Sequence, residues 1–260
     1  MKVLWIFAHP EQRSLSGALR DDGIRTLRDN GHEVRESDLY AMRWNPVVDG
    51  GDFAHDPAER LVVGDVSERA YAAGRLSGDI RAEQEKIAWA DTLVLQFPLW
   101  WYSMPAILKG WFDRTFVKGF AFGVTDPHTG QTLRYGEGML AGKRAMVVVT
   151  AGARESSLGP RGVNGELNDL LFPLQHGTLW YAGIAVVPPL LVHGADRATA
   201  DDYTSSRARL RERLTALPTA APIPFRTQNG GDYDADLVLR PHLAPHGSGP
   251  AVHSAVPAPG

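Results

Sequence analysis

Three short stretches of this chain carry groups that could hold a flat, charged small molecule. The first is His9 to Ser16, where Arg13, Ser14 and Ser16 stand at the start of a predicted helix. Free amides and the dipole at such a terminus favour a phosphate, although serines there serve as helix caps more often than as ligand contacts. The second is Leu99-Trp100-Trp101-Tyr102, an aromatic run where a loop is ordinarily polar. It offers a platform for a flat ring and, on equal terms, packing for an oligomer interface. The third is Thr150-Ala151-Gly152-Ala153, where Gly152 would let the backbone approach a ligand edge and donate an N–H.

Several other chemistries lack their pattern. There is no G-x-G-x-x-G and no G-x-x-x-x-G-K-[ST] in the first loop. Ser156 and Ser157 lack the G-x-S-x-G context of a hydrolase nucleophile. His9 has no His, Asp or Glu at metal-ligand spacing, so no metal site is expected. The chain has no cysteine, which removes disulfides and thiolate chemistry and fits a cytoplasmic address. A net charge of −3 argues against nucleic acid as partner. The opening MKVLWIFAHPEQR is too short in apolar length for a signal peptide, and no run reaches a membrane span.

The elements that must position these loops can be read from periodicity. Val3 to Phe7, Glu33 to Leu39, Thr92 to Gln96, Arg144 to Thr150 and Ile184 to Val187 read as strands, with Leu190 to Val192 an extension of the last. Ser14 or Ser16 caps a helix whose apolar side is Leu15, Leu19, Ile24 and Leu27, closed by Gly31. Asp79 to Ala90, a helix after Pro105 carrying Ile107, Leu108, Trp111 and Phe112, a helix from Gly165 that bends at Pro173, and Ala198 to Leu217 complete the set. Asn45 to Gly78 reads as an excursion with one helix around Ser67 to Ala73, and Asp126-Pro127-His128-Thr129-Gly130 as a turn cluster on a flap. Five strands alternating with helices predict a doubly wound α/β sheet with helices on both faces. Ligands then sit outside the carboxyl ends of the strands, where all three loops fall. From Pro218 onward proline and glycine dominate. Residues 219–243 are expected to wrap over the body or a partner subunit, and the last fifteen or so to dangle. The reading is therefore a main α/β domain over 1–217 and an extension over 218–260.

Several motifs together resemble a known family. They are Ala8-His9 with its serine-containing loop, Ser37-Asp38-Leu39-Tyr40-Ala41-Met42, Asp79-Ile80 with Glu83-Gln84, and Gln96-Phe97-Pro98-Leu99-x-Trp101 followed by Pro105-Ala106-Ile107-Leu108-Lys109-Gly110-Trp111. The chain resembles the flavodoxin-like NAD(P)H:quinone oxidoreductases from Met1 to about Leu217. The resemblance implies a sheet of order 2-1-3-4-5 and a homodimer with a flavin at the interface, usually FAD with FMN the alternative. It also implies NAD(P)H as co-substrate and a quinone-like acceptor reduced by two electrons in ping-pong fashion.

Carried over by position, His9, Leu15 and Ser16 would meet the pyrophosphate and ribityl region, with Ser14 beside them. Pro98, Leu99, Trp100, Trp101 and Tyr102 would line the ring system, and Thr150, Ala151, Gly152 and Ala153 its other edge. Asp113 would reach the partner's cofactor, with Trp111 to Asp113 facing that subunit. Phe122, Val124 and Tyr181 would line the substrate pocket. The resemblance fails at two positions: a Tyr and a His that relay a proton in relatives of the mammalian enzyme are matched here by Leu158 and Asn164. Trp101 as stacking platform, Gly152 as N–H donor and Asn164 as a donor that cannot titrate are the expected working groups. A flavin-binding ancillary subunit of a potassium-efflux system is the alternative reading.

Overall fold

The computed structural model describes residues 1–255. Its strands are β1 (Lys2–Phe7), β2 (Glu33–Asp38), β3 (Thr92–Pro98), β4 (Arg144–Thr150), β5 (Ala185–Val186) and β6 (Leu190–Val192). They form one parallel sheet of order β2-β1-β3-β4-β5, with β6 also on β4. β5 and β6 are two halves of one edge strand broken at Pro188-Pro189, since proline has no N–H for the ladder. The doubly wound expectation therefore holds, with one strand interrupted.

Alternation along β1 explains the two layers. Val3, Trp5 and Phe7 pack with Leu19 and Leu27 of α1 (Leu15–Asp29) and Leu210 and Leu214 of α6 (Ala200–Ala216). Leu4, Ile6 and Ala8 point the other way, toward α2 (Val63–Ala72), α3 (Gly78–Trp89), α4 (Ala106–Thr115) and α5 (Leu167–Leu174). β3 is buried at every residue, and β4 at every residue after Arg144, because both faces are covered.

The excursion after β2 contains a 3₁₀ turn at Gly50–Phe53 as well as α2, which starts four residues before the expected helix. Arg114 fastens it to α4. Its guanidinium, almost fully buried, donates to Asp52 at 2.6 Å, Asp79 at 2.7 Å and the Asn45 carbonyl at 3.0 Å. Pro105 sits at the N-cap position of α4 rather than inside its first turn. Trp111 departs from expectation. It is wholly buried, donates Nε1–H to Glu83 at 2.8 Å and so faces the core rather than the partner subunit to which the resemblance assigned it. Pro173 lies inside α5, and the chain then widens into a π-helix over Gln175–Trp180, where Thr178 Oγ1 donates to the Pro173 carbonyl.

The C-terminal segment wraps the body through Trp180 Nε1–H to the Arg226 carbonyl and Ile223 N–H to the Val186 carbonyl. Dangling does not describe residues 250–255. Ser254 bridges to Phe225, Ala255 N–H donates to the Pro224 carbonyl, and the His253 ring lies 5.5 Å from that of His176. Aromatic neighbours outweigh the proline-rich composition there. Residues 256–260 lie outside the described residues.

Candidate active site

β1 and β3 flank the point where strand order reverses, and the three loops singled out above emerge there at the carboxyl ends. Gln96, fully buried on β3, ties them to the sheet. It accepts from Trp5 Nε1–H at 3.0 Å and donates to the Ser16 carbonyl at 2.7 Å. Ser16 Oγ and Thr150 Oγ1 are 2.9 Å apart, joining the first loop to the third. Leu99 N–H donates to the Thr150 carbonyl at 2.8 Å, joining the second to the third. Ser16 and Thr150 are both buried, so their hydroxyls serve this joint.

In the first loop Ser14 is the N-cap of α1, accepting from Gly17 N–H at 3.1 Å and donating to the Glu11 carbonyl. The capping role of this serine is thus the observed one. No acidic residue stands in the first helical turn, so nothing there repels a phosphate. Leu15 packs on the α1 side of the core. His9 Nδ1 lies 3.1 Å from Glu11 N–H and 3.2 Å from Ser14 Oγ, and burial lowers its pKa, which favours a neutral ring. Arg13 turns away to Glu11, whose carboxyl its hydrogen bonds hold down at about 2.

In the second loop Trp100 and Ser103 exchange backbone hydrogen bonds at 3.0 Å across a tight turn. Trp101 and Tyr102 occupy it with φ of 50° and 61°, a left-handed pair that costs bulky residues about 1–3 kcal/mol each. The result is exposure: Trp101 is 95% accessible and Tyr102 50%. The turn is tied down at its far side. Tyr102 Oη–H donates to Asn164 Oδ1 at 3.1 Å, and Asn164 Nδ2–H donates to Ser157 Oγ at 3.0 Å. The His9 and Trp100 rings are 6.3 Å apart, closing the near side.

In the third loop the space beside Gly152 is taken by Asp196, whose carboxylate a Cβ would strike. A larger residue here would require that exposed Asp196 side chain to shift. Ala153 accepts from Gly194 N–H, and Ala151 N–H donates to the Val192 carbonyl. Leu158 is buried, whereas Asn164 is half-buried.

A second concavity, about 440 Å³, lies on the α4–α5 side. Phe97, Ser103, Met104, Asp113, Phe122 and Tyr181 are among its walls, with no residue from the His9 or Gly152 loops. Phe122 and Tyr181 meet there with ring centroids 6.4 Å apart, and Asp113 pairs with Lys109 at 2.5 Å. Val124 is outside these walls; its carbonyl accepts from Leu133 N–H across the flap. One chain thus places the expected ring platform and the expected substrate pocket on two sides of the Leu99–Met104 loop.

Comparison with known proteins agrees with this architecture. A family model described as flavodoxin-like fold matches residues 1–214. The rat NAD(P)H dehydrogenase [quinone] 1 is 36% identical over 226 residues, covering 86% of this chain and 80% of the relative. The chain belongs to the flavodoxin-like NAD(P)H:quinone oxidoreductase family. Within it, a ribosyldihydronicotinamide dehydrogenase-like protein of Penicillium crustosum is 45% identical, covering 90% of this chain and 87% of the relative. A crystal structure from Klebsiella pneumoniae, assigned as a quinone reductase, superposes with a TM-score of 0.93 at 51% identity over 98% of this chain and 99% of the other.

For a member of this family, the Tyr102–Asn164–Ser157 chain is the local feature that sequence reading missed. It joins positions 62 residues apart, and no short motif announces it. Asp196 beside Gly152 was missed for the same reason.

Proposed function

We propose that this chain is a flavin-dependent NAD(P)H oxidoreductase that reduces quinones or similar flat electrophiles by two electrons. The observation that carries the reading is the exposed Trp101–Tyr102 turn, held at the sheet's switch point beside the capped N-terminus of α1. When bound, the flavin supplies hydride acceptance from NAD(P)H and hydride donation to the quinone in alternate half-reactions. FAD is the form we favour, with its pyrophosphate at His9 to Ser16 and its ring between the aromatic turn and Thr150–Ala153.

The residues present suit such a group: amides of an acid-free helical turn for phosphate, exposed aromatic surface for a ring, and a ring of hydrogen bonds that fixes all three loops beforehand. Trp101 and Tyr102 would bind and shield the ring. Asn164 keeps one of its two amide N–H donors beyond the Ser157 bond, and Leu158 supplies none. The hydroxyls at this edge are those of Tyr102 and Ser157, both bonded to the Asn164 amide.

The protein would act as a homodimer, since Phe122, Tyr181 and Asp113 stand apart from their own chain's slot and would complete the partner's. Residues 1–217 would carry the flavin and 218–260 form an appended strap. Among the described residues no helix is long and apolar enough to cross a membrane, and the cysteine-free composition fits a cytoplasmic enzyme. The test is the absorbance spectrum of the purified protein, with mass spectrometry of whatever cofactor it releases. Flavin bands and FAD are expected; a colourless protein that refuses added FAD and FMN overturns the reading.

A further inference from the structure

Most buried or half-buried arginines described here are neutralised. Arg20, Arg114, Arg207, Arg211 and Arg226 each face a carboxylate, while Arg144 and Arg213 give Nη groups to the Ala220 and Pro188 carbonyls. Arg134 does neither. It is half-buried, its guanidinium carbon stands 6.0 Å from the centroid of the Tyr181 ring, and its Nε–H is donated to Gln228 Oε1. Both Nη groups lack an acceptor, and no carboxylate pairs with them, among the described residues. Those Nη groups stay open to solvent and to an incoming anion, which would meet a guanidinium already positioned through its Nε–H.

The fold also spends contacts on aiming it. Gln228 belongs to the C-terminal strap, and its neighbour Asn229 donates Nδ2–H to Glu137 Oε2 at 2.6 Å on the same flap. On the body side, Tyr135 N–H donates to the Tyr181 carbonyl and Gly136 N–H to that of Trp180. Strap, flap and π-helix therefore fix Arg134 against the ring that lines the cleft.

We propose that Arg134, aimed by Gln228, binds an anionic group on the flat ligand that stacks near Tyr181. The anion is a phosphate of a dinucleotide donor or a carboxylate on the acceptor, either of which fits the open edge of a guanidinium. The proposal rests on the oxidoreductase reading above.

The test uses the flavin-loaded enzyme and its Arg134→Gln, Arg134→Lys and Gln228→Ala variants. KM is measured with NADH, phosphate-free N-ribosyldihydronicotinamide, a neutral quinone and its carboxylated analogue. Arg134→Gln should raise KM roughly tenfold for the ligands that carry the recognised anion, from the loss of a charge-assisted hydrogen bond. The matched uncharged ligand, kcat and flavin content should stay within about twofold. Lysine should restore part of the affinity, and Gln228→Ala should shift the same ligand a few-fold. A shift confined to NADH identifies the donor's phosphates; one confined to the carboxylated quinone identifies the acceptor. Unchanged KM for all four, a uniform rise for all four, or loss of flavin overturns the proposal. Should the wild-type protein turn over no donor–acceptor pair, the oxidoreductase reading fails. Calorimetric binding of the same ligands to the wild type and Arg134→Gln then decides the anion site alone.

Discussion

At the sheet edge the Trp101 ring stands 95% accessible, while on the other side of the same loop Phe97 and Phe112 line an apolar cleft and are almost wholly buried. The two regions are held by different means. The slot is framed by neutral hydrogen bonds that converge on Gln96, Ser16, Thr150 and Asn164. The cleft is walled mainly by apolar side chains of α4 and α5, and the Arg114–Asp52–Asp79 ion cluster fastens α4, which supplies one of those walls. Neutral hydrogen bonds fix geometry at small cost, which suits a surface that must stay open. A buried ion cluster fails severely when one partner is lost, which suits a wall that need not move. The two regions should therefore be separable by mutation.

Arg114→Ala should have the largest effect on stability. It strands Asp52 in the interior and should cost about 3–5 kcal/mol, read as a drop in the urea midpoint. Flavin content of the surviving folded protein should be close to normal; parallel loss of flavin would mean that slot and cleft are one cooperative unit.

Next comes a complementation experiment that addresses which copy supplies which half. Trp101→Ala/Tyr102→Ala and Phe122→Ala/Tyr181→Ala should each lose roughly a hundredfold in kcat/KM, two aromatic contacts apiece. Refolding the two together should restore about a quarter of wild-type turnover, because each mixed dimer holds one complete site. No recovery would place both halves of the site within one copy.

Gln96→Leu is the slot's counterpart to Arg114→Ala. It leaves Trp5 Nε1–H and the Ser16 carbonyl unpartnered and should cost about 2 kcal/mol, with flavin released faster in a fluorescence assay. If the acceptor KM changes and flavin release does not, the assignment of the two regions is reversed.

The smallest effect concerns acid. His176 is stacked between Tyr135 and Phe172, and burial lowers its pKa to about 4 from an ordinary 6.5, with His253 contributing. The fold demands the neutral ring, so its stability is complete above about pH 6.5 and declines as pH falls from there toward 4. After allowance for solvent screening the loss is at most about 2 kcal/mol. His176→Gln should flatten the melting temperature across that window; an unchanged slope would assign it to other groups.

What was legible in the sequence follows the reach of each contact. The strands around Leu93–Leu95 and Ala145–Val149 were readable because burial on both faces leaves an uninterrupted apolar run at their centres. The cap was readable to Ser14 or Ser16, and the structure gives Ser14, because capping is settled within three residues. Trp111, placed toward the partner subunit by the family resemblance, is instead held in the core by its bond to Glu83, a residue 28 positions away. The Asp196 carboxylate beside Gly152 comes from the loop after β6, 44 residues on, and no local pattern announces it. The bond from Arg134 to Gln228 spans 94 residues and leaves no local trace. His253 sits in a stretch whose composition suggests a loose tail, and only its placement beside Tyr233 and His176 shows otherwise.

The pairing of Ser254 with Phe225 has a practical side. It makes the intervening segment a closed loop anchored at both feet, and lengthening such a loop adds only about 0.6 kcal/mol per doubling. A peptide or fluorophore inserted in the exposed stretch near Val238 should be carried without disturbing either foot. Removing residues from 250 onward instead unhooks one foot, and the grip of Gln228 on Arg134 loosens with it. The extension is thus a sound place to attach a label and an unsafe place to cut.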